Sequence, residues 1–342
     1  MKISLITGIS GQGGAFLARL LIDSGCKVIG TTRDGDRVST HNLQALGVAE
    51  QVTLMSLDLR DGSLTTDLID QLRPDEIYHL AAPSSVARSF HEPAETIYSL
   101  ALTTVNVLEA VRKTDKSTPC FIATSTEMFG NCTSPATKYT PHDPKSPYGI
   151  GKSCAHYQAR NYREAYGLYV SSGILSNFES PLRQKNYVTS KIVSAACQIA
   201  LGQTSSIELG NLGVRRDWGS ASDFMQAAML SLQQPEPDDY LIATGVTHSL
   251  KDFLDIAFSI LDLDYQEHLV VKNSLLRPLD IKQTLCDPSD TEQKLNWHAQ
   301  TSLRDVISNM IQTELVSLVG KEAALKLLRQ NSNNIVPLSR TN

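Results

Sequence analysis

A tyrosine and a lysine four residues apart, Tyr148 and Lys152, are the residues of this chain whose types and spacing most clearly suggest chemistry. Residues i and i+4 share one face of an α-helix, so on a helix the phenol and the ammonium group converge on one point. A neighbouring ammonium group lowers the pKa of a phenol, which would prepare Tyr148 to act as a base near neutral pH. The same spacing also occurs where both side chains are simply solvated, so its meaning depends on where the helix lies in the fold.

A second group of polar side chains lies at the end of the predicted strand Cys120–Ser125. Residues at the carboxyl ends of parallel strands line the ligand crevice of an open α/β sheet. Ser125 can hydrogen-bond a hydroxyl group as it becomes a carbonyl, and Glu127 can move a proton between carbon and oxygen. The alternative for Glu127 is a surface carboxylate that caps the following turn.

The glycine-rich segment Thr7–Gly14 follows the first predicted strand and opens the first predicted helix. Glycines 8, 11 and 14 permit a tight turn and a close approach of the backbone to a pyrophosphate, which the free N–H groups of the helix N-terminus can bind. The segment, with Ser10 and Gln12, therefore predicts a dinucleotide site formed by Gly8, Ser10, Gly11, Gln12 and Gly14. The alternative is a turn whose glycines serve only the change from strand to helix.

Charged residues after the second and third predicted strands indicate which dinucleotide is bound. Arg33 directly follows the second strand, and its guanidinium group suits the 2′-phosphate of NADP. Asp34 is the competing signal, because a carboxylate there holds the ribose of NAD, so NAD stays possible. Asp58 follows the third strand, where it can bind an adenine edge or cap a helix.

These residues are placed by an alternation of strands and helices in the first half of the chain. Short apolar runs followed by helical patterns predict a parallel sheet covered by helices on both faces, which is a Rossmann-type doubly wound α/β fold with a smaller mixed α/β C-terminal domain. We predict a cofactor domain over residues 1–175 and about 219–245, a substrate domain over 176–218 and 246–330, and a flexible tail over 331–342. The predicted strands are Ile3–Thr7, Lys27–Thr31, Val52–Leu57, Glu76–Ala81, Cys120–Ser125 and Tyr169–Leu175, and the clearest predicted helices are Gly14–Ser24, Leu64–Leu72, Ala94–Lys113 and Leu303–Leu318.

The composition is that of an ordinary globular protein, with 41% apolar and 20% charged residues and a formal charge of -5. A net negative charge offers no electrostatic basis for binding nucleic acid or an anionic membrane. No apolar run reaches the roughly 20 residues that span a bilayer, and no signal peptide is recognisable. The six cysteines lack paired spacing. We therefore expect a cytoplasmic protein with reduced thiols, no metal site, and no nucleic-acid or membrane partner.

Longer motifs in the second half resemble the extended short-chain dehydrogenase/reductase family, and within it the GDP-mannose 4,6-dehydratases. The resemblance covers nearly the whole chain, to about Trp297. Its most specific parts are Gly173–Pro181, Tyr187–Lys191, Gly210–Gly219, Leu241–Gly245, His248–Ser249, Arg277–Pro278 and Lys294–Trp297.

The resemblance implies an internal redox cycle on a nucleotide sugar. Tyr148 would remove the proton of O4 while a hydride passes from C4 to NADP, and Glu127 would take the acidified C5 proton and help expel the C6 hydroxyl as water. It also implies a homodimer or homotetramer and a GDP-linked sugar. The implied cofactor contacts add Leu59, Leu80, Ala81, Ala82, Tyr148 and Lys152, and the implied substrate contacts are Ser84, Ser85, Asn177, Glu179, Lys191, Arg216 and Arg277.

Several positions depart from the family pattern. Ser125 stands where the family usually has the catalytic threonine, and Gly13 stands where it has an aspartate in the glycine loop. Ser190 replaces an arginine before Lys191. Pro83 stands where the family has a polar residue. A related GDP-sugar therefore stays possible as substrate. The alternatives are a nucleotide-sugar 4-epimerase or 4-dehydrogenase/reductase, which would lack the task given to Glu127, and a catalytically silent NADP-binding protein.

Overall fold

A computed structural model describes residues 1–33, 39–114 and 118–330 of the chain. The described residues form these strands: β1 Ile3–Thr7, β2 Lys27–Thr32, β3 Val52–Ser56, β4 Glu76–His79, β5 Cys120–Ser125, β6 Val170–Leu175, β7 Asn177–Glu179, β8 Ile207–Leu209, β9 Arg215–Ser220, β10 Asp239–Ile242, β11 Thr247–Ser249 and β12 Leu269–Val271. Asp34 and the tail over residues 331–342 lie outside the described residues.

The helices alternate with the strands in the first half and follow one another more closely in the second. They are α1 Gln12–Asp23, α2 His41–Ala45, α3 Gly62–Leu72, α4 Val86–His91, α5 Pro93–Lys113, α6 Pro147–Tyr166, α7 Val188–Ala200, α8 Ala221–Ser231, α9 Leu250–Ser259, α10 Ser289–Leu295, α11 Leu303–Val319 and α12 Lys321–Gln330. Short 3₁₀ turns lie at Ala49–Gln51, Thr126–Met128, Tyr265–Glu267 and Asn273–Leu275. None of the described helices is long and apolar enough to cross a membrane.

The main sheet is parallel and has the strand order β10-β6-β5-β4-β1-β2-β3. Every residue of β5 and β6 is buried, as expected for strands covered on both faces. Helices α1 and α8 pack their apolar side chains on one face, and α3, α5 and α6 pack theirs on the other. The Rossmann-type fold predicted from the sequence is confirmed, and the predicted strands of the first half end within two residues of the observed ones.

A second hydrophobic core lies among helices α7, α9, α11 and α12. Two small sheets accompany it, β11-β9-β7 and β12-β8, and the first of them contains both parallel and antiparallel pairs. The chain crosses between the two cores near Trp218, which belongs to the second core, and Phe224, which belongs to the first. Asp239, the first residue of β10, pairs with Ser172 in the main sheet. The division into two domains stays a prediction.

Candidate active site

The glycine turn after β1 is built so tightly that two of its glycines leave no room for a side chain. Gly8 has a φ of +74°, and a Cβ atom there would lie 2.7 Å from the backbone of Ala81. A Cβ atom on Gly14 would lie 2.6 Å from the carbonyl oxygen of Gly8. Gly11 is the N-cap residue of α1, and no side chain caps that helix. The free N–H groups of the first turn are therefore available to an anionic group, which is the arrangement that a pyrophosphate needs.

Polar contacts connect this turn to the segments beside it. The Gln12 side chain donates to the carbonyl oxygen of Phe178 (3.0 Å) and accepts a hydrogen bond from Ser180 (2.7 Å). The carbonyl oxygen of Ser10 accepts a hydrogen bond from Asn42 (2.8 Å). Gln12 therefore ties the turn to the start of the second half of the chain, in addition to any role toward a dinucleotide.

The residues predicted to hold the adenosine end lie beyond the carboxyl edge of β2 and β3. Arg33 is exposed, and the buried hydroxyl of the preceding Thr32 has no hydrogen-bond partner among the described residues. Asp58 accepts a bidentate pair of hydrogen bonds from Arg60 (2.9 and 2.6 Å), which hold the pKa of that carboxyl below its usual range. Asp58 does not cap the following helix, because Asp61 is the N-cap residue of α3. The Leu59 side chain is buried in the core between the sheet and α5.

The segment after β4, where Leu80, Ala81 and Ala82 are predicted to contact the cofactor, lies directly against β1. The amide of Leu80 donates to the carbonyl oxygen of Thr7 (3.2 Å), and the amide of Ala81 donates to the Thr7 hydroxyl (3.3 Å). All three residues are partly exposed. The backbone after β4 thus forms the wall of the crevice that faces the glycine turn.

Ser125 and Glu127 lie at the carboxyl end of β5, in a 3₁₀ turn. Ser125 caps this turn by accepting a hydrogen bond from the amide of Glu127 (3.3 Å). Glu127 is only 9% exposed, so it is not the surface capping residue that the alternative interpretation required. Burial raises the pKa of its carboxyl, although Arg216 and Arg277 act in the opposite direction.

Helix α6 brings Tyr148 and Lys152 to this turn. Ser146 caps the helix by accepting from the amide of Gly149, and Pro147 occupies its first position, where a missing N–H costs nothing. A Cβ atom on Gly149 would lie 2.8 Å from the carbonyl oxygen of Glu127, so glycine permits the close approach. Lys152 is buried and donates to the carbonyl oxygen of Ala123 (2.7 Å), which overturns the reading of two solvated side chains.

The expectation that Lys152 lowers the pKa of Tyr148 is wrong for this structure. Burial raises the pKa of the Tyr148 phenol well above its usual range, and a hydrogen bond with Ser125 and the charge of Arg183 oppose the rise only in part. The ammonium group of Lys152 lies 5.8 Å from the centre of the Tyr148 ring and is bonded to a backbone carbonyl. Burial also lowers the pKa of Lys152 to about 8. The loss of hydration therefore sets the direction of the pKa change in both groups.

Glu127 faces a small network of charges from the second half of the chain. Its Oε1 lies 3.9 Å from Nε of Arg216, which is 5% exposed. Arg216 donates to Asp280 (2.9 Å) and to the carbonyl oxygens of Arg215 and Ile281 (3.0 and 2.8 Å). Arg277 donates to the same oxygen of Asp280 (3.1 Å). Arg216 is therefore a buried cation held by protein oxygens, whereas its neighbour Arg215 is exposed.

The remaining predicted substrate contacts are spread around the crevice. Ser84 is exposed, whereas Ser85 is the N-cap residue of α4 and accepts from the amide of Arg88 (3.2 Å). Asn177 opens β7 and is partly exposed. Lys191 is exposed and donates to the carbonyl oxygen of Glu208 (2.6 Å). The carboxylate of Glu179 is buried against Arg183 and therefore does not face the open crevice.

Two side chains that the sequence interpretation missed, Arg183 and Tyr187, act on the pKa of Tyr148 through their charges. Arg183 makes two hydrogen bonds to Glu179 (2.6 and 3.1 Å), and its guanidinium carbon lies 4.1 Å from the centre of the Tyr187 ring. The Tyr187 hydroxyl lies 2.7 Å from the Ser84 hydroxyl. Tyr187 opens the motif Tyr187–Lys191 that carried the family resemblance, and this position was the available signal for it, whereas Arg183 lies between that motif and Gly173–Pro181.

His79 at the end of β4 is the other titratable group close to the site. Its ring nitrogens contact the hydroxyls of Thr7 (2.9 Å) and Thr103 (3.3 Å), and burial lowers its pKa to about 3. His79 is therefore neutral and part of the packing. Within the described residues, no three histidine, cysteine or acidic side chains are grouped so that they could hold a metal ion.

Comparison with solved structures agrees with this architecture. UDP-glucose 4-epimerase of Thermotoga maritima, solved with UDP-glucose, aligns with a TM-score of 0.81 at 21% identity over 92% of this chain and 99% of the epimerase. The dTDP-glucose 4,6-dehydratase DesIV of Streptomyces venezuelae, solved with NAD, aligns with a TM-score of 0.80 at 21% identity over 91% and 96%. At this level of identity the likeness shows the fold.

Sequence comparison identifies the family as well as the fold. The family described as GDP-mannose 4,6 dehydratase matches residues 5–310. GDP-mannose 4,6 dehydratase 1 of Arabidopsis thaliana is 38% identical over 95% of this chain and 92% of its own length. The enzymes of Vibrio cholerae and Cricetulus griseus are 34% and 33% identical over 92% and 97% of this chain. This chain belongs to the GDP-mannose 4,6-dehydratase family.

Proposed function

We propose that this protein is a nucleotide-sugar 4,6-dehydratase that converts GDP-mannose, or a closely related GDP-sugar, to the 4-keto-6-deoxy sugar with release of water. The observation that carries the proposal is the buried carboxyl of Glu127, in the same turn as Ser125 and close enough to interact with Tyr148. Oxidation of a sugar hydroxyl needs only a base and a hydrogen-bond donor. A carboxyl buried at the same site provides the proton transfer that an elimination also needs.

We propose NADP as the cofactor, with NAD as the alternative. The residues present fit a nicotinamide dinucleotide, because the turn at Gly8, Gly11 and Gly14 offers free N–H groups and the exposed Arg33 follows β2. When bound, the cofactor supplies an acceptor for the C4 hydride and a donor that returns it to C6. Lys152 donates to the Ala123 carbonyl and lies 5.8 Å from the centre of the Tyr148 ring, which places a donor group next to the proposed base.

The side chains divide the proton transfers between them. Tyr148 acts as the phenolate, accepting the O4 proton while Ser125 hydrogen-bonds the same oxygen, and the charge of Arg183 lowers the pKa of the phenol and so offsets part of the cost of burial. Glu127 then removes the C5 proton, which the new 4-ketone acidifies, and delivers it to the C6 hydroxyl as the C6–O bond breaks and water leaves. The proton taken from O4 balances the proton that C5 finally regains.

The cations of the second half of the chain supply the charge that a diphosphate needs. Arg277 and Lys191 are partly or fully exposed and are proposed to contact it, whereas Arg216 is held by three protein oxygens and faces Glu127. We therefore propose that Arg216 acts chiefly on the charge of Glu127. We further propose that the protein works in the cytoplasm as a homodimer or homotetramer, as first expected.

The proposal is tested by incubating the purified protein with NADP and GDP-mannose and following the mass of the sugar nucleotide. A dehydratase gives a product lighter by one water, which the Tyr148→Phe variant does not form. A 4-epimerase gives a product of unchanged mass, and a silent cofactor-binding protein gives no product with any GDP-, CDP-, UDP- or dTDP-sugar. Either of these results would overturn the proposal.

A further inference from the structure

A hydrogen bond between two hydroxyl groups spans the crevice from one core of the molecule to the other. The Tyr187 hydroxyl lies 2.7 Å from the Ser84 hydroxyl, and either oxygen can be the donor. Ser84 belongs to the segment after β4, in the main sheet, whereas Tyr187 is the N-cap residue of α7, which packs in the second core. The Tyr187 side chain makes no cap hydrogen bond with the helix, and its hydroxyl contacts Ser84 instead.

The position of the Tyr187 ring does not depend on Ser84. Arg183 lies over its face at 4.1 Å from the ring centre, a distance at which a cation attracts an aromatic ring. Arg183 is itself fixed by two hydrogen bonds to the buried carboxylate of Glu179. The ring of Tyr187 is thus held by a contact that does not involve Ser84.

The hydroxyl pair lies within electrostatic range of the reacting phenol and has unused hydrogen-bonding capacity. Tyr187 and Arg183 are both close enough to Tyr148 to affect its charge. One O–H is consumed in the bond between Ser84 and Tyr187, so one O–H and several lone pairs remain. Because Ser84 is exposed, this capacity is open to the crevice. A hexose hydroxyl can accept a hydrogen bond from the remaining O–H and donate one to a remaining lone pair.

We infer that Tyr187 is a hexose-binding residue, which together with Ser84 forms a hydroxyl pair that holds a ring hydroxyl of the sugar other than the one that Tyr148 deprotonates. The inference rests on the proposed function, since it needs the hexose to lie beside Tyr148. It assigns to this pair the recognition of the sugar, and to the cations farther along the crevice the recognition of the diphosphate.

The test compares the binding of GDP-mannose with the binding of GDP, which lacks the hexose. Tyr187→Phe removes one oxygen and keeps the ring on which Arg183 lies. It should raise the Kd of GDP-mannose roughly 3- to 10-fold, the worth of one hydrogen bond, and leave the Kd of GDP unchanged. Ser84→Ala should have a similar effect, and the double variant should lose less than the product of the two single losses, because the hydroxyls act as a pair. The control Tyr139→Phe, at an 80% exposed tyrosine, should change neither value.

The possible outcomes separate the inference from the proposed function. Unchanged binding of GDP-mannose by Tyr187→Phe, or equal weakening of GDP and GDP-mannose, would overturn the inference and leave the proposed function intact. An unaltered protein that binds GDP at least as tightly as GDP-mannose and does not turn over GDP-mannose would overturn both the inference and the proposed function. An equal melting temperature for the variants and the unaltered protein excludes loss of folding as the cause of any difference.

Discussion

Replacement of Glu127 by glutamine is the most informative single change in the site, because glutamine has nearly the same size and lacks only the charge and the ability to transfer a proton. The carboxyl is buried, with its Oε1 3.9 Å from Nε of Arg216. Two unit charges about 4 Å apart interact by about 4 kcal/mol at an effective dielectric constant of about 20. This value is an upper limit on what the variant loses in pairing energy.

Two features of the structure reduce that loss. Asp280 stays 2.9 Å from Arg216, so the guanidinium group keeps a carboxylate partner. The pKa of Glu127 is raised, with burial as the largest cause, which means that the cost of burying its charge exceeds the attraction of the nearby cations. A neutral glutamine avoids that cost. We therefore expect the free energy of unfolding near neutral pH to change by no more than about 1 kcal/mol.

The effect on catalysis should be far larger. Loss of a positioned acid–base group lowers the rate of the step it serves by roughly 10²- to 10⁴-fold. Water loss from GDP-mannose, followed by mass spectrometry, should therefore fall by that factor in Glu127→Gln. Oxidation at C4 does not use Glu127, so bound cofactor should still become reduced when the substrate is added, which is visible in its near-ultraviolet absorbance. Glu164→Gln, an exposed carboxylate on α6, is the matched control. Unchanged water loss in Glu127→Gln would refute the role assigned to this carboxyl.

Three further predictions follow from the same contacts. Arg216→Gln removes a cation that lowers the pKa of Glu127, so the acidic limb of the kcat/KM–pH profile should move to higher pH. Asp280→Asn removes an anion that raises this pKa, so the same limb should move to lower pH. Movement in the same direction in both variants would contradict the role assigned to Glu127. Arg33→Ser should raise the KM of NADP at least 10-fold relative to that of NAD, measured with GDP-mannose saturating, and an unchanged ratio would mean that Arg33 does not bind the 2′-phosphate. Gly8→Ala should lower the free energy of unfolding by about 1–3 kcal/mol in urea titrations, because a Cβ atom would meet the Ala81 backbone at 2.7 Å and the positive φ disfavours alanine; wild-type stability would contradict this geometry.

The first half of the fold was predictable because its strands are buried on both faces. Such strands appear as apolar runs, as in Cys120–Ser125, which the structure reproduces residue for residue. Strands β7 and β11 have only three residues each, and most of those are polar, so local sequence gives no sign of them. They form through pairing with β9, which is a long-range contact.

In the site, too, local sequence predicts the positions of residues, whereas effects of long-range packing are not predictable from it. Ser125, Glu127, Tyr148 and Lys152 follow from their positions after β5 and on α6, and the structure brings them together. The direction of the Tyr148 pKa change was not predictable, because it depends on how much hydration the phenol loses when it is buried. The part played by Arg183 depends in the same way on its packing against Tyr187.

The central claim is that a hydride leaves C4 and returns to C6 of the same sugar, around an elimination that Glu127 serves. Its most direct test is the fate of deuterium placed at C4 of GDP-mannose, with NADP in catalytic amount. We predict a product that has lost one water, carries the deuterium at C6, and leaves the cofactor oxidised after complete turnover. Deuterium retained at C4, or released with reduced cofactor into solution, would contradict the account.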